Sequence, residues 1–373
     1  MNFGRHPLLE ALHGILYENA VTLGSFTHAF KCKFDVNNDR VRQAVEDNFS
    51  CDIPGDENRI FYGTIVGEDG GVLEDFMCYV DEFGYLNVVG NICNRDVWYC
   101  RFGELFESES AEDITQERGI LYLYGNQGKK LIQALTGVDI DDVGWRGVRN
   151  DIVEDIQIDV AVTTYTPFGG AEISFDIDQL SYIWDRIYAL GQELEIDVGA
   201  CGLTGRDVAR MSGGLPLGGL DYRIQGLQVP PQSIGARLKD GEFIGKEEAQ
   251  RNPIRWKRVY IPIDNRRLTD DELKKFEQAN NVRVSSVLFI PGHDRLVREL
   301  RIYYKDLEKT QREELARNIL QFLESVGVIP GNHLFILGTG LNRGVRMVTV
   351  SDRRGKENIS GYIAERRRIW QRE

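Results

Sequence analysis

The sequence has little histidine, no closely spaced cysteine pair and no long apolar run. Its five histidines are scattered, and its six cysteines include no Cys-x-x-Cys pair, so the ligand spacing of a zinc site is missing. No stretch of 18 apolar residues occurs, and the N-terminus lacks the pattern of a signal peptide. We therefore expect no metal site and no membrane segment. Free cysteines favour a reducing compartment, so we expect a cytoplasmic protein.

Acidic residues outnumber basic residues over most of the chain. The net charge of −13 argues against a nucleic-acid partner, because neutralising phosphates requires an excess of Lys and Arg on one surface. The residues from Asn281 to Glu373 differ, with 17 Lys and Arg against 11 Asp and Glu, and they end in a cluster of arginines. This basic end is interpreted either as a solvated terminal helix or as a docking arm for an acidic protein or another copy of the chain.

The residues that are present indicate a globular protein of more than one unit. The chain has 373 residues, of which 42% are hydrophobic and 28% charged. Blocks of short apolar segments separated by turns alternate with blocks of helical periodicity, which predicts an α+β fold. The predicted strands are Ile60–Val66, Val72–Val80, Tyr85–Gly90, Ile120–Tyr124, Ile158–Thr164, Ala171–Phe175, Leu334–Leu337 and Val345–Val350. The predicted helices are Lys129–Leu135, Leu180–Leu194 and Lys309–Val326.

Asp75 is the most informative single residue. In the predicted strand Val72–Val80 it shares a face with Leu73, Met77 and Tyr79, while Glu74 lies on the other face. A carboxylate among apolar neighbours is costly unless it is hydrogen-bonded or functional, and desolvation would raise its pKa. The alternative is an edge strand with both faces wet.

Four segments, in order along the chain, resemble motifs of the aminomethyltransferase family of the glycine-cleavage system. GGVLEDFMCYVDEFGYLNVVGN (70–91) resembles the family signature of two glycines, two apolar residues, an acidic residue and an aspartate. TTYTPFGGAEI (163–173) resembles TGYTGExGYEI, and CGLTGRDVARMSGGLPLGG (201–219) resembles CGLGARDxLRLEAGxxLYG. EFIGKEEA (242–249) resembles DFIGREAL. The combination is specific, whereas no single segment would suffice.

The resemblance implies a function and roles for five residues. It implies binding of tetrahydrofolate and transfer of a methyl or aminomethyl carbon to or from a small-molecule donor or acceptor. Asp75 matches the carboxylate beside the reacting folate nitrogens. Glu172 matches the carboxylate that binds the amino and ring N–H groups of the pterin, and Arg206 matches an arginine next to the folate. Tyr165 and Asn91 are further candidates for the same cleft. Taken alone, Glu172 could be a solvent-facing strand residue, and Arg206 could be paired with Asp207 or lie on a helix surface.

The resemblance also implies the domain organisation. We expect an aminomethyltransferase-like folate-binding core over residues 1–250, with mixed and antiparallel sheets flanked by helices. This core consists of two interleaved subdomains with a break near residue 150. Residues 251–373 are expected to form a divergent C-terminal α/β domain with a basic helical tail.

The departures from the family pattern leave the substrate open. Pro167 and Phe168 replace a glycine and a glutamate, and the C-terminal motif of the family is absent after Asn281. The aminomethyl-lipoyl arm is therefore not a safe substrate. Alternative functions are non-catalytic folate binding, as in proteins that maintain iron–sulfur enzymes, and a docking subunit of a larger complex. The cysteine-containing motif of the maintenance proteins is replaced here by GEFIGKEEA (241–249).

Overall fold

The computed structural model describes residues 19–55, 58–164, 169–202, 206, 222, 229–251, 254–263, 270–292, 295–305 and 308–325. These residues fall into two compact units, one within 19–251 and one within 254–325. Tyr165, Pro167, Phe168, the predicted strands Leu334–Leu337 and Val345–Val350, and the basic tail lie outside the described residues.

The first unit contains a six-stranded and a five-stranded sheet. The strands are β1 Ala20–Ser25, β2 Phe30–Asp35, β3 Phe61–Val66, β4 Val72–Val80, β5 Tyr85–Gly90, β6 Ala111–Asp113, β7 Arg118–Tyr124, β8 Val148–Val153, β9 Ile156–Ala161, β10 Gly170–Asp176 and β11 Asp197–Cys201. The six-stranded sheet has the order β11-β1-β7-β10-β9-β8, in which β1 and β11 are parallel and the other neighbours antiparallel. The five-stranded sheet, β3-β4-β5-β2-β6, is antiparallel throughout. All five of its strands are inserted in the chain between β1 and β7.

Helices cover one face of each sheet. The helices of this unit are α1 Asp39–Asn48, α2 Arg95–Glu107, α3 Gly128–Thr136, α4 Ile140–Val143, α5 Leu180–Glu193 and α6 Lys246–Arg251. The apolar faces of α3 and α5 pack with alternate residues of β7, β9 and β10 into one core. Those of α1 and α2 pack with alternate residues of β2, β4 and β5 into a second core, which contains the fully buried Trp98.

The ends of the helices follow from local chemistry. Asn38 precedes α1, and its side chain accepts a hydrogen bond from the backbone N–H of Arg40, as is typical of a helix N-cap. Gly137 follows α3 with a φ of +76°, a left-handed conformation that glycine adopts without steric cost.

The two faces without these helices carry the polar residues that define the site. Because side chains alternate along a strand, Leu121, Leu123 and Ile173 point into the core under α3 and α5, whereas Glu172 and Ser174 line a cavity. The five-stranded sheet follows the same rule on β2, β4 and β5. A hydrogen bond of 3.2 Å from the Tyr79 hydroxyl on β4 to Oδ2 of Asp159 on β9 connects the two sheets.

The second unit has a three-stranded antiparallel sheet and two helices. Its strands are β12 Ile254–Ile263, β13 Arg283–Gly292 and β14 Arg295–Lys305, in the order β12-β14-β13, and its helices are α7 Asp270–Asn280 and α8 Lys309–Ser325. The rings of Phe276 and Phe322 lie 4.6 Å apart and join the two helices. Across the described ranges, no helix combines the length and apolar character needed to cross a bilayer.

Candidate functional site

A small cavity lies between the two sheets of the first unit and brings three of the predicted site residues together. Its volume is about 80 Å³. Asp75, Asn91 and Glu172 line it, together with Phe26, Ile60, Tyr62, Phe76, Met77, Tyr79, Val89, Gly90, Ala161 and Thr163. The walls are mainly aromatic and aliphatic, and the polar groups are few, as is usual for a small-molecule site.

Asp75 is half-buried, and its carboxylate accepts hydrogen bonds from Tyr62, Asn91 and Tyr222. Strand β4 pairs with β3 and with β5, so it is not an edge strand and the alternative interpretation of Asp75 is wrong. The Tyr62 hydroxyl donates to Oδ2 of Asp75 over 2.8 Å, and the side-chain amide of Asn91 donates to Oδ1 over 2.8 Å. The hydroxyl of Tyr222, which is fully buried, also donates to Oδ1. These contacts fix the carboxylate at the cavity wall.

The carboxylate with the strongest burial on this strand is Glu74 rather than Asp75. Glu74 is 0% exposed and points into the core under α1 and α2. Burial, and then the neighbouring Asp75 carboxylate, raise the pKa of Glu74 well above its usual range, although hydrogen bonds from Asn91 and Asn94 oppose the shift. Glu74 is therefore the more deeply buried of the two acids, because the packing of α1 and α2 decides which face of β4 is the core.

Asn91 follows β5 and joins the two carboxylates. Its backbone N–H donates to Oε1 of Glu74 over 2.6 Å. Its side-chain nitrogen Nδ2 lies 3.2 Å from the same Oε1 and 2.8 Å from Oδ1 of Asp75. A side chain at the preceding residue, Gly90, would displace the Glu74 carboxylate, because a Cβ there would lie 2.6 Å from its Oε1.

Glu172 enters the cavity from the opposite sheet. It lies on β10, and the Tyr124 hydroxyl of β7 donates to its Oε1 over 2.6 Å. Burial raises the pKa of Glu172, while the Tyr124 hydrogen bond and the nearby Arg206 guanidinium oppose the shift. Because its side chain lines the cavity, Glu172 is not the solvent-facing strand residue of the alternative interpretation.

Arg206 lies behind one wall of the cavity. It is 7% exposed, which rules out the interpretation as a helix-surface charge, and its proposed partner Asp207 lies outside the described residues. The centre of its guanidinium lies 3.6 Å from the centroid of the Phe26 ring, a cation–π contact. Arg206 thus influences the site through its contact with Phe26 and through its electrostatic effect on the Glu172 carboxylate.

A second cavity adjoins the first. Its volume is about 340 Å³, and it shares Tyr79, Val89, Ala161 and Glu172 with the smaller cavity. Its lining includes an ion pair of 2.7 Å between Arg118 and Asp159. Burial raises the pKa of Asp159, against the opposing effect of the Arg118 charge.

Sequence reasoning missed several side chains of the site. The missed residues are hydrogen-bonded to predicted ones: Tyr62 and Tyr222 to Asp75, Tyr124 to Glu172, and Glu74 to Asn91. Only Glu74 had a signal, since the two-residue period placed it with Val72, Phe76 and Cys78 on an apolar face. In the part of the chain that the structure describes, no three His, Cys, Asp or Glu side chains are grouped to hold a metal ion.

Comparison with known proteins gives one family and several relatives. The family profile described as GCVT N-terminal domain matches residues 19–226. An aminomethyltransferase of Geobacillus sp. (strain WCH70) is 29% identical over 199 residues, covering 51% of this chain and 53% of the relative. An aminomethyltransferase of Staphylococcus saprophyticus is 29% identical over 194 residues, covering 50% of this chain and 51% of the relative. The chain thus spans about half the length of these curated relatives.

The fold agrees with a solved structure. The glycine cleavage system aminomethyltransferase T from Bartonella henselae superposes with a TM-score of 0.58 at 18% sequence identity. The match covers 81% of this chain and 85% of that one. The predicted α+β fold of aminomethyltransferase type is therefore confirmed.

Proposed function

The chain belongs to the GCVT N-terminal domain family, and from this premise we propose that it binds tetrahydrofolate between the two sheets of its first unit. We propose that it transfers a methyl or aminomethyl carbon between the folate and a small substrate. The observation that carries this proposal is the shared cavity of Asp75, Asn91 and Glu172, three residues up to 97 positions apart in the sequence.

The residues that line the cavity match the chemistry of a pterin ring. A pterin is a flat ring with apolar faces and a hydrogen-bonding edge, and the cavity offers Phe26, Met77 and Val89 as apolar walls. Its amino group and adjacent ring N–H form a pair of donors, which a carboxylate can bind with both oxygens. Glu172 supplies such a carboxylate, and its ionisation, disfavoured by burial, is stabilised when a ligand adds donors.

In the proposed reaction the protein mainly orients the reactants and transfers a proton. Tetrahydrofolate supplies the ring nitrogen that carries the one-carbon unit. Glu172 and the apolar walls hold the ligand in one orientation, which places the reacting atoms at a fixed position. Asp75, itself fixed by Tyr62, Asn91 and Tyr222, exchanges a proton with the reacting amine or ring nitrogen.

The partner in transfer is proposed only by class. The relatives that share half of their length with this chain are aminomethyltransferases, and a small amine that carries a methyl or aminomethyl group has matching chemistry. Folate binding without transfer is the competing function, and it would use the same cavity. The two proposals differ in whether Asp75 is needed for turnover.

Calorimetric titration with tetrahydrofolate and its 5-methyl and 5,10-methylene forms tests the proposal. We expect saturable binding of at least one form by the wild-type chain, and weaker binding by Glu172→Gln. Asp75→Asn should keep the affinity within about tenfold and abolish turnover with a panel of methylated amines as donors. Absence of both binding heat and thermal stabilisation with all three folates would contradict the proposal, and unchanged turnover of Asp75→Asn would remove Asp75 from the mechanism.

A further inference from the structure

The larger cavity has a row of polar side chains along one wall. Asn150 of β8 pairs with Asp159 of β9 in the six-stranded sheet, and Asp159 pairs in turn with Ser174 of β10. Residues directly opposite each other on neighbouring strands point to the same face of a sheet. All three residues line the cavity of about 340 Å³. The side chains of Asn150 and Asp159 are therefore neighbours on the cavity face.

Asn150 contributes an acceptor that lacks a donor. Its Oδ1 is buried, and no donor within the described ranges forms a hydrogen bond with it. Buried polar atoms in folded proteins are nearly always hydrogen-bonded, because a carbonyl oxygen that leaves water without a new partner is unfavourable. A ligand that brings an N–H group to this wall of the cavity would remove that cost.

Asp159 contributes a second acceptor beside the first. It is buried, with 9% of its surface exposed. The Tyr79 hydroxyl donates to its Oδ2 over 3.2 Å, and the Arg118 guanidinium donates to the same oxygen over 2.7 Å. In the part of the chain that the structure describes, no donor forms a hydrogen bond with Oδ1. A carboxylate has about four acceptor positions, so Oδ1 of Asp159 can accept another donor.

The charges around this pair of acceptors favour a cation. The lining of the cavity contains four acidic and three basic side chains. One of the basic side chains, Lys33, forms an ion pair of 3.0 Å with Glu112, which is not part of the lining. Acidic groups are therefore in excess at the cavity wall. A protonated amine matches this wall, because it is a cation that donates hydrogen bonds and accepts none.

We propose that the larger cavity binds the amine substrate as a protonated secondary amine, whose two N–H groups donate to Asn150 and Asp159. The inference rests on the proposed function, because it places this substrate beside the folate of the small cavity, with which the larger cavity shares Glu172. A secondary ammonium ion has two N–H protons, one for each acceptor. A tertiary ion has one and a quaternary ion has none, so the number of N–H groups decides the selectivity at equal charge.

The test is calorimetric titration of three butylammonium ions with one, two and three N-methyl groups, with and without saturating tetrahydrofolate. Each ion carries one positive charge, whereas the number of N–H protons falls from two to none. We expect the affinity of the wild-type chain to fall about tenfold with each proton lost, and binding to persist when tetrahydrofolate is bound. Asn150→Ala should bind the first two ions within about threefold of each other, because Asp159 alone remains to accept.

Three further variants separate hydrogen bonding from packing. Asn150→Asp keeps an acceptor and should retain the preference for the first ion over the second. Asp159→Asn removes the charge and should weaken the binding of all three ions by at least about tenfold. Asp151→Asn is the matched control, because it makes the same change of charge on the opposite face of β8, and it should bind as the wild-type chain does. Thermal unfolding of each variant establishes that it is folded.

Several outcomes would overturn the inference. These are failure to bind any of the three ions, equal affinities of the wild-type chain for all three, and an Asn150→Ala variant that keeps the wild-type order. Displacement of the amines by tetrahydrofolate would also overturn it, because the folate would then occupy the larger cavity. A chain that binds the amines in the expected order but binds no tetrahydrofolate would contradict the proposed function and confirm the amine site.

Discussion

Replacing Glu172 with glutamine should change stability and ligand affinity in opposite directions. Glu172 lies on β10 and accepts a hydrogen bond from Tyr124, and burial disfavours its charged form. Glutamine has nearly the same shape and no charge, and its carbonyl oxygen can still accept the Tyr124 proton. Relief of the buried charge should raise the free energy of unfolding of the ligand-free chain by about 1–2 kcal/mol.

The same substitution should weaken the binding of tetrahydrofolate. A carboxylate can accept two charge-assisted hydrogen bonds from the pterin edge, whereas the amide can accept one and presents a donor against the other. Loss of one charge-assisted bond costs about 1.5–3 kcal/mol, which corresponds to an increase of about 10- to 100-fold in Kd. Calorimetry at neutral pH gives this value directly.

The pH dependence of the free energy of unfolding tests whether the Glu172 charge destabilises the folded chain. Because the pKa of Glu172 is raised on folding, the folded chain binds more protons between the ordinary and the raised value, so stability falls as pH rises through that window. Urea unfolding across this window should show a smaller fall in Glu172→Gln. Glu193→Gln, on the exposed surface of α5, is the control and should match the wild-type chain. A Glu172→Gln variant that is less stable and binds tetrahydrofolate as the wild-type chain does would refute this reasoning.

Three further substitutions test the packing and electrostatics of the first unit. Tyr124→Phe removes the 2.6 Å donor to Glu172 and should lower the free energy of unfolding by about 1–3 kcal/mol in urea titrations; an unchanged midpoint would contradict that contact. Trp98→Ala empties the centre of the core under α1 and α2 and should cost about 3–5 kcal/mol or prevent folding, as measured by circular dichroism. Burial lowers the pKa of Lys31 to about 8, so stability should rise with pH from about 8 towards the ordinary lysine value, and Lys31→Met should remove that rise. A rise that persists in Lys31→Met would assign it to another group.

Strands that lie between clusters of turn residues could be predicted from the local sequence. The clusters GEDGG (67–71) and DEFG (81–84) fix the bounds of β4 and β5, which the structure reproduces. Strand β2 was missed although Phe30, Cys32 and Phe34 alternate with Lys31 and Lys33, because lysines on a strand suggest an exposed surface. In the structure Lys31 is 2% exposed, and its ammonium group donates to the carbonyls of Thr27 and Ala29.

The site could be predicted in part because its residues lie in motifs with a family pattern. Those motifs indicated Asp75, Asn91, Glu172 and Arg206, and the family and the fold are confirmed. The hydrogen bonds that hold the Asp75 carboxylate could not be predicted. Tyr222, for example, is 147 residues away, and only the folded chain brings it within hydrogen-bond distance. That Glu74 is the fully buried acid of β4 could not be predicted either, since α1 and α2 decide which face of β4 is covered.

The pairing of β1 with β11 sets an order for the emergence of structure during synthesis. Ala20 lies opposite Asp197, so β1 cannot complete its partnership on that side until about half of the chain has left the ribosome. The five-stranded sheet, by contrast, is contiguous from Phe30 to Asp113 and can form early. The insertion thus allows a nascent chain to bury the core of the five-stranded sheet while β1 is still an unpaired edge strand. Because β1 and β11 must close a long loop, the six-stranded sheet is the slower of the two to assemble.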